Sequence, residues 1–194
     1  MIWRVRRVVT GHDSEGRSIF VSDGLAPNVK EMKPTFPGLA LTDLWETKGA
    51  PEDNDRKGDA ADRPVHLEPP KNGSIMRIVE FPPDSTRPQD SDSHAGFKAI
   101  GAGHAQDRKS ADPMMHRTNT VDYIIVLKGE IYAIMDQGEA LLRAGDILIQ
   151  RGTNHSWSVR GSEPCIIAAV LINAKPLRKK ASKKKPAKKT KKKK

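Results

Sequence analysis

Short apolar runs separated by turn signals dominate the second half of the chain. Residues 123–127, 131–135, 140–142, 147–150, 155–159 and 165–172 are rich in Ile, Val, Leu and aromatics. Lys128-Gly129-Glu130, Asp136-Gln137-Gly138, Ala144-Gly145-Asp146, Gly152-Thr153-Asn154 and Gly161-Ser162-Glu163-Pro164 interrupt them. Turns at that spacing predict antiparallel strands closed into a small all-β barrel or sandwich. Residues 73–82 add a strand, with Ile75, Arg77, Val79 and Phe81 on one parity, ended by Pro82-Pro83. Near the N-terminus, residues 4–10 and 18–22 are β-branched and flank the polar segment 11–16, a hairpin with His12 at its solvated tip.

Two stretches break the pattern. Residues 24–71 are rich in Pro, Gly and charge, with 39–45 as the only apolar island, and are expected to wrap the barrel; 49–63 within them should be mobile. Residues 84–112 form a long polar excursion, a lid or a disordered loop, and their His94 and His104 have little around them to fix a ring. The expected organisation is therefore 1–72 as hairpin and wrapping segment, 73–174 as barrel and 175–194 as a disordered tail.

Composition bounds this picture. The 194 residues, 36% hydrophobic, suffice for one core of modest size. The formal charge of +10 comes from the tail: 13 of 34 Lys and Arg lie from Lys175 onward, which leaves 21 basic against 24 acidic side chains, a net −3. Such a tail without aromatics attracts nucleic acid through its phosphates without reading sequence; anionic membrane surfaces, nuclear import and solubility are competing uses. Cys165 is the only cysteine, in an apolar setting that predicts an inert packed thiol and a reducing compartment. Without an apolar run long enough for a signal peptide or a membrane span, a soluble cytoplasmic protein is expected.

The candidate chemistry sits where the strand pattern begins. His116, Thr118, Thr120 and Asp122 share one parity, but six extended residues separate the ends by roughly 20 Å, so joint action requires a bend near Asn119. A Ser156–His155–Asp122 triad is opposed by strand alternation, which turns adjacent side chains to opposite faces. Gly129, Gly138, Gly145 and Gly152 read as turn residues, Met114 and Met115 as packing, and no phosphate-binding glycine motif is present.

Two spaced motifs resemble those of the cupins. His116-x-Thr118, three residues, Asp122, six residues and Gly129 follow the first cupin motif, with Thr118 and Asp122 where that motif has His and Glu. Gly145-Asp146-Ile147-Leu148-Ile149-Gln150-Arg151-Gly152-Thr153-Asn154-His155-Ser156-Trp157 follows the second, one residue short and without its Pro. The resemblance implies a double-stranded β-helix, a jelly-roll-like barrel. It also implies a divalent transition metal on His116, Asp122 and His155, with Fe(II) favoured and Zn(II), Mn(II) or Ni(II) equally suited by ligand type. Thr118, Arg151 and Trp157 would then line a substrate pocket. A barrel whose histidines never hold metal, with Asp122 paired to Arg117 or Arg151, is the alternative.

Two functional classes follow. One is a metal-dependent enzyme acting on a small oxygenated organic molecule as oxidoreductase, isomerase or lyase. The other is a non-catalytic ligand-binding or regulatory protein brought to nucleic acid by the tail. A homodimer built by exchanging the N-terminal strands is expected, because residues 3–10 form a strand far in sequence from the barrel motifs that needs an edge to pair with.

Overall fold

The computed structural model describes residues 2–178; the expectation for the tail therefore falls almost wholly outside the described residues. Eleven strands and one α-helix are present: β1 Arg6–His12, β2 Ser18–Leu25, β3 Val29–Glu31, β4 Ala40–Thr47, β5 Ser74–Phe81, α1 Ser93–Ala99, β6 Thr120–Lys128, β7 Glu130–Met135, β8 Glu139–Arg143, β9 Ile147–Arg151, β10 His155–Ser158 and β11 Cys165–Asn173. A six-stranded sheet of order β3-β4-β5-β11-β6-β9 and a three-stranded sheet β10-β7-β8 form the double-stranded β-helix. Every strand expected within 73–174 is there, with ends that differ by at most three residues.

Alternation decides what faces inward. Across the large sheet Ile75 pairs with Leu171, Leu171 with Asp122 and Asp122 with Gln150, so these four form one inward row. One residue along β11 the row is Met76, Val170, Tyr123 and Ile149, which faces outward. Val79, Ile124, Val126, Ile131, Ile167 and Leu171 build the core between the sheets. Cys165 belongs to it, fully buried, and burial pushes its thiol up to about 12, as an inert packed cysteine requires.

The expectation that 39–45 only wraps the barrel is corrected. β4 pairs with β5 along its whole length and with β3 on the other side, so the large sheet runs across the boundary expected at residue 72. Its polar Asp43 and Glu46 masked a buried strand because their partners, Arg63 and Arg77, are far away in sequence. The same contacts anchor 49–63, whose Asp59 also accepts from the Arg7 guanidinium. Residues 84–112 are neither disordered nor featureless: they carry α1, capped by Asp92 accepting from the Ala95 amide, and close over one end of the barrel.

β1 and β2 pair with each other as a separate two-stranded sheet. That pairing gives β1 a partner within its own chain. Phe20, Val21 and Leu25 remain exposed on the hairpin.

Gly129 turns the chain between β6 and β7 at φ 77°, and a Cβ there would stand 2.7 Å from the Pro164 carbonyl oxygen. Gly129→Ala is expected to cost about 2 kcal/mol or more in urea unfolding, from positive-φ strain plus backbone collision. An effect below ~0.5 kcal/mol would refute this account.

Candidate functional site

The two histidines are brought together by the backbone. His116 and His155 form an isolated antiparallel bridge in which each amide donates to the other's carbonyl at 2.9 Å. Their ring centroids consequently lie 4.2 Å apart. The chain then enters β6 at Thr120, with the Thr118 and Thr120 hydroxyls 2.6 Å apart in the interior. Phe97 of α1 packs on His116 at 5.0 Å between centroids, and Trp157 meets His155 edge-on at 5.7 Å.

These rings border a cavity of about 140 Å³ between the sheets and α1. An engineered apolar cavity of about this size accommodates benzene. Its polar lining comprises His116, His155, Thr118, Asp122, Gln150 and Arg77, with the paired Asp84 and Arg87 also on its wall. Most of the remaining wall is apolar, with Phe36, Leu41, Phe97 and Ile100 on the α1 side and Ile167, Ala169 and Leu171 along β11. Ala169, between two larger neighbours of the same parity, leaves room in the floor.

Burial sets the charge of each group. The Nδ1 of His116 donates to the Met114 carbonyl at 2.8 Å, and that of His155 to the Thr153 carbonyl at 2.9 Å. Burial lowers the pKa of both imidazoles, and for His155 the neighbouring His116 lowers it further, so both are neutral at neutral pH. Burial pushes Asp122 the other way, up to about 6, against the pull of hydrogen bonds from Thr120 and Gln150 and the charge of Arg77. A carboxyl balanced near neutrality in a cavity has the character of an acid–base group.

The geometry tests the metal expectation. An ion would need Nε2 of both imidazoles and a carboxylate at one point. The Gln150 amide nitrogen lies 2.7 Å from His155 Nε2 and 2.9 Å from its Nδ1. An amide nitrogen that close to both ring nitrogens lies against the ring between them, off the in-plane lone pair of either. The same amide nitrogen reaches Asp122 Oδ2 at 3.4 Å, so the carboxylate meets His155 only through Gln150. Among the described residues no group of three or more His, Cys, Asp and Glu is placed to hold an ion. The residues present do not fit a centre of two histidines and one carboxylate.

Other expected site residues divide. Thr118 and Trp157 line the cavity, whereas Arg151 does not: β9 turns Gln150 inward and Arg151 outward, to a surface depression shared with Arg117. Asp122 pairs with neither Arg117 nor Arg151. Ser156 hydrogen-bonds Asp112 rather than His155, which disposes of the triad. His94 contacts Gln106 and His104 contacts Glu68. The sequence reading passed over Gln150 and Arg77, although each was a polar residue on the inward parity of an apolar strand.

Arg77 belongs to a buried charge cluster. Its Nε lies 2.9 Å from Asp43 Oδ1, while Arg63 Nη1 lies 2.9 Å from Asp43 Oδ2 and Arg63 also pairs with Glu46. Two guanidinium groups thus balance two carboxylates.

No protein-family model matches the chain. It is 30% identical over 181 residues to phomopsin biosynthesis cluster protein C' of Diaporthe leptostromiformis, covering 88% of this chain and 79% of that one. The cupin-domain-containing oxidoreductase virC of Hypocrea virens is 27% identical over 184 residues, 90% of this chain and 78% of its own. Among solved structures, a putative ethanolamine utilization protein Q from Salmonella typhimurium aligns over 89% of this chain and 99% of its own, at 11% identity and a TM-score of 0.42.

Proposed function

Since the chain belongs to the cupin superfamily, we propose that it is an enzyme moving protons on a small, ring-sized, mainly apolar molecule that carries a carbonyl group, an isomerase- or lyase-type reaction with Asp122 as the acid–base residue. The observation that carries this reading is a carboxyl inside a cavity with apolar walls, within hydrogen-bond reach of Gln150 and beside two neutral imidazoles. The carboxylate of Asp122 takes a proton from the carbon next to the carbonyl. The C–H electron pair becomes a C=C bond and the carbonyl π pair moves to oxygen. Where a C=C bond adjoins that carbon, the electron pair extends along it and the Asp122 proton returns to the far carbon, giving the isomer; where a leaving group stands on the next carbon, it departs with its bond pair as the C=C bond forms, giving the unsaturated product. Gln150 holds Asp122 and His155 in register, and Phe97 and Trp157 form walls that exclude water, which strengthens each polar contact inside.

The test is hydrogen exchange. Acetophenone, a single ring bearing a carbonyl and an acidic methyl group, is incubated with the protein in D2O and its methyl signal followed by proton NMR. Loss of that signal faster than in buffer is the expected result; exchange no faster than with an unrelated protein of equal basic charge removes the proposal. A second reading, oxidation or reduction of the same molecules, is favoured by the names of relatives such as virC. It would appear as consumption of oxygen or of an added nicotinamide cofactor without exchange.

Metal content is the companion measurement. Elemental analysis of protein prepared without tag or chelator is expected to give no stoichiometric transition metal, because Gln150 stands between His155 and Asp122 and no three such side chains converge among the described residues. One equivalent of iron, zinc, manganese or nickel, lost in both His116→Ala and His155→Ala, would restore the metal-dependent reading.

A further inference from the structure

Resting on that reading, we propose that Arg77 receives the carbonyl oxygen of the substrate, as the donor that holds the negative charge when Asp122 removes the proton. Arg77 is 1% exposed, sits on the inward parity of β5 and lines the cavity. Its Nη2 is taken by the His66 carbonyl at 2.6 Å and by Asp43, and its Nε faces Asp43. Its Nη1 is buried and has no hydrogen-bond partner among the described residues. A buried guanidinium N–H without an acceptor is costly, and a ligand oxygen in the cavity is what would satisfy it.

The charge cluster narrows the ligand. Asp43 and Glu46 already neutralise Arg63 and Arg77, so an incoming carboxylate would add an unbalanced charge to a buried site. A neutral carbonyl adds none at binding and gains charge only as the proton leaves. A donor aimed where charge develops, in a site closed to water, stabilises that stage more than the bound ground state. Arg77 and Asp122 face the cavity from β5 and β6, with β11 between them: its small Ala169 pairs with Arg77 and its Leu171 with Asp122. Among the described residues Gln150 Oε1 and Asp122 Oδ1 are also buried without hydrogen-bond partners, as is Arg77 Nε, which meets Asp43 only as an ion pair, so the polar end offers Nη1 as the donor not facing a carboxylate and two acceptors. The substrate class is accordingly a ring-sized ketone or aldehyde bearing hydrogen on the neighbouring carbon.

The experiment uses the full chain with acetophenone labelled with ¹³C at the carbonyl, and infrared difference spectra of the bound molecule. In the wild type the C=O stretch is expected below its value in water, and acetophenone should bind roughly tenfold or more tightly than ethylbenzene, the increment of one charge-assisted hydrogen bond. Arg77→Lys should raise the stretch and shrink that preference. Because a substitution in a buried ion cluster can prevent folding, the wild-type spectrum decides independently: a stretch at or above the value in water, or no binding, overturns the proposal. An Asp43→Asn/Arg77→Met double variant, which removes the pair together, should lose the shift while still binding ethylbenzene. A lowered stretch without hydrogen exchange would leave Arg77 as the carbonyl anchor and sink proton transfer. Exchange without a lowered stretch would do the reverse.

Discussion

Asp122→Asn is expected to abolish hydrogen exchange into acetophenone while making the folded protein more stable at pH 7. Loss of a positioned acid–base group lowers such rates by about 10²–10⁴. The stability gain follows from the pKa of the carboxyl, raised from 3.8 to about 6 by burial. Between these values the unfolded chain has lost the proton and the folded chain keeps it, so stability falls as pH rises through that window, by up to about 3 kcal/mol. Asparagine does not titrate, and the two unfolding curves should converge below pH 4 and separate above pH 6. His116 and His155 act in the opposite sense. Their folded pKa values lie below 6.5, so stability present above 6.5 is lost as pH falls beneath it. Both proteins keep the histidines, and subtracting one urea-unfolding pH profile from the other isolates Asp122. The wild-type exchange rate should also rise with pH through an apparent pKa near 6. Unchanged exchange in the variant, or parallel stability profiles, would remove Asp122 from its role.

Asp43→Asn should be the most destabilising single-atom change in the protein. Asp43 has no exposed surface and holds Arg77 and Arg63 at 2.9 Å each. Asparagine keeps the shape and deletes the charge, leaving two buried guanidinium groups to share Glu46. Breaking a buried pair by removing one partner costs about 3–5 kcal/mol, because the remaining charge has neither water nor counter-ion. Urea unfolding at pH 7 should show a lower midpoint with an unchanged slope. Glu52→Gln provides the contrast. Its pair with Arg56 is partly exposed at 3.7 Å, and its loss should cost under ~1 kcal/mol. Equal losses at the two positions would mean that the cluster beneath the cavity is no more than a surface feature.

The strand rhythm was legible because a barrel with one face inward imposes a period of two, and residues 120–173 obey it with turns marked by glycine. What the pattern concealed were the places where an inward position is polar. Asp43 and Glu46 made β4 look like a covering segment, although opposite charges at Arg63 and Arg77 bury it. Gln150 stood on an apolar strand in the right parity, yet a search for metal ligands among His, Asp, Glu and Cys passes over an amide. Arg151 was read into the pocket from its motif position, and alternation alone would have sent it outward. The pairing of His116 with His155 was foreshadowed by the two motifs. That Gln150 stands between His155 and Asp122 depends on side-chain packing across three elements, which spacing along the chain does not encode.

The cavity has two builders. Its polar end comes from β5 and β6, which are paired on both sides, and from the edge strands β9 and β10, the second also bridged to His116 at His155. Much of its apolar cover comes from 32–41 and from α1 and the turn after it, where Gly96 sits so close to Phe36 that an added Cβ would meet the ring at 2.4 Å. Substitutions in that cover can reshape the space above the floor without disturbing Asp122, Gln150 or Arg77. Duplicated copies of such a gene could diverge in the molecules they accept while inheriting one chemistry, a division of labour in which the loop segments drift and the sheet is held constant by selection.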